Sequence, residues 1–156
     1  MILNTGSRTD IPAFFSTWFY NRIREGFVLA RNPYNPVQVT RYRLTPELVD
    51  CLVFCTKNPA PMLDQLHLLD AFHQYWQVTI TPYGRDVEHN VPPVEVVIEA
   101  FWRLSRAKGL ACVGCRDDPI FIYGPYSVSY HIQAFAKMAA ALEGYTDHCV
   151  ISFIDL

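Results

Sequence analysis

His148-Cys149-Val150-Ile151-Ser152-Phe153-Ile154-Asp155-Leu156 is a β-branched, almost unbroken apolar run that reads as a strand. Four similar runs precede it, and each of those is followed by a polar turn and an amphipathic helical pattern. Working back along the chain, the fourth strand covers residues 110–115. Its helix starts at a Ser127 cap, carries Val128, Ile132, Phe135, Ala139 and Leu142, and stops at Gly144. The third strand covers residues 75–81. Pro92-Pro93 opens its helix, with Val94, Val97, Ile98, Phe101 and Trp102 on one face, and Gly109 ends it. The second covers residues 50–55, and Asn58-Pro59 caps a helix carrying Met62, Leu63, Leu66 and Leu69. The first covers residues 2–5. Thr9 or Asp10 caps its helix, Pro12 opens it, and Phe15, Trp18, Phe19 and Ile23 share a face up to Gly26.

Strands that alternate with helices run parallel through right-handed crossovers. The sequence therefore predicts an α/β fold over residues 1–156: a partial (βα) barrel of about five parallel strands alternating with helices. A hairpin is inserted after the first helix, from residues 27–30 and 37–44 about a turn at residues 32–36. Five units are too few for a closed eight-unit barrel, so a half barrel and an open sheet both fit. A half barrel exposes two strand edges, and pairing with a missing C-terminal segment or self-association through those edges would cover them.

The composition is globular, with 51% hydrophobic and 18% charged residues. A net charge of −2 gives no basic field, so nucleic acid is not indicated. No apolar run approaches the ~20 residues of a membrane span. Met1-Ile2-Leu3-Asn4-Thr5-Gly6 lacks the charged start of a signal peptide. Five cysteines, an odd count, read as free thiols in a cytoplasmic setting.

Parallel sheets place their chemistry on the turns after the strands. Those turns are polar here: Gly6-Ser7-Arg8-Thr9-Asp10, Thr56-Lys57-Asn58-Pro59, Thr81-Pro82-Tyr83-Gly84-Arg85, Arg116-Asp117-Asp118-Pro119, and Ser152 with Asp155. Two readings are open. Arg8, Asp10, Lys57, Asn58, Arg116 and Asp117 form a shared rim for a small, anionic ligand, or they are caps and solvated loops. Lys57 adds an alternative, a Schiff-base lyase or aldolase, if burial frees its amine. A non-catalytic module that binds a ligand or dimerises is the other alternative.

Cys51 and Cys55 lie on one strand face, whereas Cys112 and Cys115 point to opposite faces of an extended strand, so buried structural thiols are expected and no metal site. Asp86, Glu88 and His89 read as solvated loop residues, and His67 and His131 as surface or core-border histidines. His73 and His148 precede strands, on the side away from the rim.

Several stretches are similar to an uncharacterised bacterial family, domain-of-unknown-function family 1848. They are residues 2–14, Arg31-Asn32-Pro33-Tyr34-Asn35-Pro36, Val53-Phe54-Cys55-Thr56-Lys57-Asn58-Pro59, Val78-Thr79-Ile80-Thr81-Pro82-Tyr83-Gly84, Asp118-Pro119-Ile120 and Val150-Ile151-Ser152-Phe153-Ile154-Asp155. The resemblance spans nearly the whole chain in order. It implies a distant relative of radical S-adenosylmethionine enzymes with a (βα) barrel, of which this chain is the N-terminal half. It also implies S-adenosylmethionine and an iron–sulfur cluster in the full-length protein, held by a later cysteine-rich segment. None of the five cysteines here matches that segment, so the chain alone is expected to hold no cofactor and to be inactive.

Overall fold

A computed structural model describes residues 1–154. Seven strands and five α-helices follow one another as β1 (Ile2–Asn4), α1 (Ile11–Phe14), α2 (Ser16–Glu25), β2 (Phe27–Asn32), β3 (Asn35–Arg43), β4 (Cys51–Thr56), α3 (Ala60–Leu63), β5 (Gln74–Thr79), α4 (Val94–Lys108), β6 (Val113–Ile120), α5 (Val128–Leu142) and β7 (Cys149–Phe153). Short 3₁₀ turns at Leu66–Leu69 and Leu110–Cys112 complete the order.

The main sheet is five-stranded and wholly parallel, in the order β1-β4-β5-β6-β7. β2 and β3 pair separately as the expected antiparallel hairpin. The main strands are adjacent in sequence order, with no reversal. Right-handed crossovers that all advance one way lay the helices on a single face. Burial follows that rule. Leu52, Phe54, Trp76, Val78, Val113 and Cys115 are buried under the helices, while Cys51, Val53, Cys55, Gln77, Thr79 and Arg116, which alternate with them, keep partial exposure. Phe54 and Trp76 stack at 4.0 Å between ring centroids, and Phe19 meets Phe54 edge-on at 5.5 Å.

Four local expectations change. The first helix breaks at Phe15, whose φ of −131° leaves the helical region. The break lets Phe19 and Tyr20 enter the core, while Phe15 and Trp18 stay exposed. Second, the helix after Asn58 is only Ala60–Leu63 followed by a 3₁₀ turn, yet Met62, Leu63, Leu66 and Leu69 are all buried. Third, the fourth strand starts later and runs through Ile120, so Arg116, Asp117 and Asp118 are strand residues rather than a turn. Arg116 and Asp118 are tolerated there because they lie on the face of the sheet that carries no helix. Fourth, α5 buries His131, Met138 and Leu142 and leaves Val128 and Ile132 exposed. Its first turns pack on a cluster of Tyr83, Phe121 and Tyr126 rather than on the sheet.

Candidate functional site

The carboxyl ends of the five main strands lie together at one end of the sheet, as parallel pairing requires. The turns after β1 and β4 are joined there by Asp10. Its Oδ1 accepts from Ala13 N at 3.0 Å and caps α1, and its Oδ2 accepts from Lys57 N at 2.8 Å. Gly6 packs so closely on β4 that an added Cβ would sit 2.7 Å from Cys55 Cβ. Only glycine allows this approach of the first turn to the second strand.

Lys57 extends towards the third turn. Its Nζ pairs with Glu88 Oε1 at 2.5 Å and donates to Thr81 Oγ1 at 3.2 Å, and Thr81 Oγ1 in turn donates to Glu88 Oε2 at 2.8 Å. Glu88 has therefore left the expected solvated loop and turned inward. A Schiff-base lysine needs a free amine in an apolar pocket, whereas this amine is tied on two sides. Asn58 serves the local turn, accepting from Ala60 N at 3.2 Å through Oδ1. Arg8 reaches away from the strand ends and donates from Nη2 to Arg31 O on the hairpin at 2.8 Å.

Arg116 and Asp117 are neighbours on β6, so they face opposite sides of the sheet. Arg116 is on the uncovered face. It pairs with Asp118, reaches Gln77 Oε1 at 3.4 Å, and leaves its Nε buried without a partner. Ser152 of β7 donates to the other oxygen of Asp118. Cys55 Sγ lies 3.7 Å from the same Gln77 oxygen. A polar strip thus crosses β4, β5, β6 and β7. Asp117 faces the helices, is 1% exposed, and has no partner for its Oδ1. Burial pushes its carboxyl above the usual carboxylate range, against the opposing pull of His131 and Lys57. The six residues therefore divide. Asp10, Lys57 and Asn58 stitch the strand ends, Arg116 and Asp117 face opposite ways, and Arg8 joins the hairpin. Asp155 lies outside the described residues.

Two features escaped the sequence reading. His131 is buried inside the aromatic cluster, with Nε2 3.0 Å from Phe121 O and its Nδ1 unpartnered. His148 sits at the opposite end of the sheet between Asp147 Oδ1 (2.5 Å from Nδ1) and the Tyr75 hydroxyl (2.6 Å from Nε2). Spacing hints at neither Phe121 nor Tyr75, which lie 10 and 73 residues away in sequence, although Asp147 adjoins His148.

The thiols are dispersed. Cys51 and Cys55 share a face but are separated by roughly 13 Å of strand. Cys115 lies on the other face, 3.8 Å from Met138 Sδ, in register with Cys149. No three histidine, cysteine or carboxylate side chains come together among the described residues to hold a metal ion. These cysteines do not fit an iron–sulfur cluster, which needs several converging thiolates. None of the helices among the described residues is long and apolar enough to cross a membrane.

Fold and site together define an α/β protein with a five-stranded parallel sheet, helices on one face and a polar strip on the other. The chain belongs to the family described as Domain of unknown function (DUF1848), whose model matches residues 2–156. No curated protein and no solved structure matches the chain.

Proposed function

We propose that the chain forms one side of a (βα) barrel of the radical-S-adenosylmethionine-like kind, and that its uncovered sheet face binds a small ligand carrying an anionic group. One observation carries the reading. Five parallel strands in sequential order leave a helix-free face, and that face bears Gln77, Arg116, Asp118 and Ser152 joined by hydrogen bonds. The inner wall of a barrel has this construction, with the reacting end at the strand carboxyl termini. Arg116 is the anion-directed group, its Nε awaiting an acceptor. Cluster ligands in this reading come from sequence other than the five cysteines present, so the chain by itself performs no radical chemistry. The remaining barrel wall comes from further sequence or a second chain, and the compartment is cytoplasmic, in keeping with free thiols.

The test is a titration of the ¹⁵N-labelled chain with S-adenosylmethionine and, in a separate arm, with inorganic phosphate. Amide shifts are expected at residues 4–8, 55–58, 77–81 and 116–118, with affinity at least five-fold weaker in Arg116→Gln. Silence with both probes, or shifts confined to the amino ends of the strands, removes the reading.

A further inference from the structure

On the helix side of the same strand ends, α4 and α5 diverge over a cleft of about 390 Å³. Its walls are largely carbon: Ile80, Val94, Ile98, Phe135 and Met138. Glu95, Gln133 and Lys137 stand at its exposed rim, and the carboxylate buried in its wall is Asp117, 99% buried from solvent with Oδ1 unpartnered. Glu95 and Lys137 are open to water, which leaves Asp117 as the buried charge of the lining. Lys57 is held by Glu88, and Arg116 by Asp118. His131 presents a second orphaned atom nearby in the fold. Its Nε2 faces the Phe121 carbonyl and so carries the proton in the neutral ring, which makes the unpartnered Nδ1 an acceptor as well. A buried acceptor without a donor costs about 1–3 kcal/mol, and a buried carboxylate without a counter-charge costs more. A ligand that brings a cationic donor on an apolar body removes that cost and fills the carbon-walled space. The volume lies within the range of small-molecule sites.

We infer that the cleft between α4 and α5 is a binding site for a small apolar amine, whose ammonium group pairs with Asp117. The site is separate from the uncovered face, since Asp117 and Arg116 alternate on β6. Either site can exist without the other.

The experiment uses 2-phenylethylamine and its neutral counterpart 2-phenylethanol as probes. Binding is measured by calorimetry, and the site is located by amide shifts. The amine is expected to bind at least five-fold more tightly than the alcohol, with shifts at residues 80–82, 94–98 and 130–138. Asp117→Asn is expected to bring the amine down to the level of the alcohol. Ala134→Trp, which plugs the cleft from α5, is expected to abolish binding of both while circular dichroism stays unchanged. Equal affinities in the unaltered protein, no binding of either probe, or an amine preference that survives Asp117→Asn would each overturn the inference. Shifts on residues 55, 77 and 152 instead would also overturn it, by placing the amine on the uncovered face. If Asp117→Asn does not fold, the amine-to-alcohol ratio and the Ala134→Trp plug still decide.

Discussion

At Gly114 an added Cβ would lie 2.3 Å from His148 Nε2 and 2.9 Å from Cε1. The glycine is the bed on which the imidazole lies as it bridges β5 to the start of β7. Gly114→Ala should push the ring off the Tyr75 hydroxyl and cost about 1–3 kcal/mol by overpacking, measured by urea unfolding. In a His148→Ala background the same substitution should cost far less, because nothing remains to collide with. Thiol chemistry gives a second expectation. Cys115 and Cys149 sit in register on β6 and β7, and the interaction between the two thiols holds Cys149 below its ordinary pKa while it and burial push Cys115 up. Burial also raises Cys51 and Cys55. Iodoacetamide should therefore modify Cys149 before Cys51, Cys55 or Cys115, as mass spectrometry of timed samples would show. Asp117 sets a pH dependence. Its folded pKa lies above the unfolded value, so the folded state binds more protons in the interval between them. Stability should fall as pH rises from the ordinary carboxylate value through the folded one. Asp117→Asn should abolish that fall, so thermal melts of the two proteins should diverge above the interval.

The short α1 and α3 gain their places from contacts with other elements. Tyr20, from α2, donates its buried hydroxyl to Met62 O in α3 at 2.6 Å. Tyr20→Phe leaves that carbonyl to the longer backbone bond from Gln65 N at 3.3 Å and should cost about 1 kcal/mol in chemical denaturation. Asp10 both caps α1 and binds Lys57 N, so Asp10→Ala should cost about 1–2 kcal/mol and raise amide exchange at Lys57. The Ser127 cap was legible in sequence, and Ser127 accepts from Tyr130 N at 3.2 Å. The buried face of α5 was legible only in its second half, where Phe135 and Leu142 pack on the core as expected. Val128 and Ile132 fit helical periodicity but are exposed, because Tyr83, Phe121 and Tyr126 draw the helix start onto themselves and bury His131. Periodicity states that a helix has an apolar stripe, while the neighbour that arrives decides which stripe is covered.

Across the whole molecule the alternation of strands and helices, the parallel sheet and the inserted hairpin were all present in the one-dimensional pattern, and so was the belonging of residues 2–156 to one family. Those features depend on local periodicity, turn residues and the handedness of crossovers, which neighbouring residues encode. Tertiary structure alone decided the division of the candidate site. Arg116 and Asp117 read as members of one rim on one turn, but the strand ran on through them and the pleat sent them to opposite faces. Lys57 found Glu88 31 residues away, and His148 found Tyr75 73 residues away. Such meetings are set by where strands pair and how far a ladder extends. Those outcomes depend on the packing of the entire sheet and are written in no single stretch of the chain.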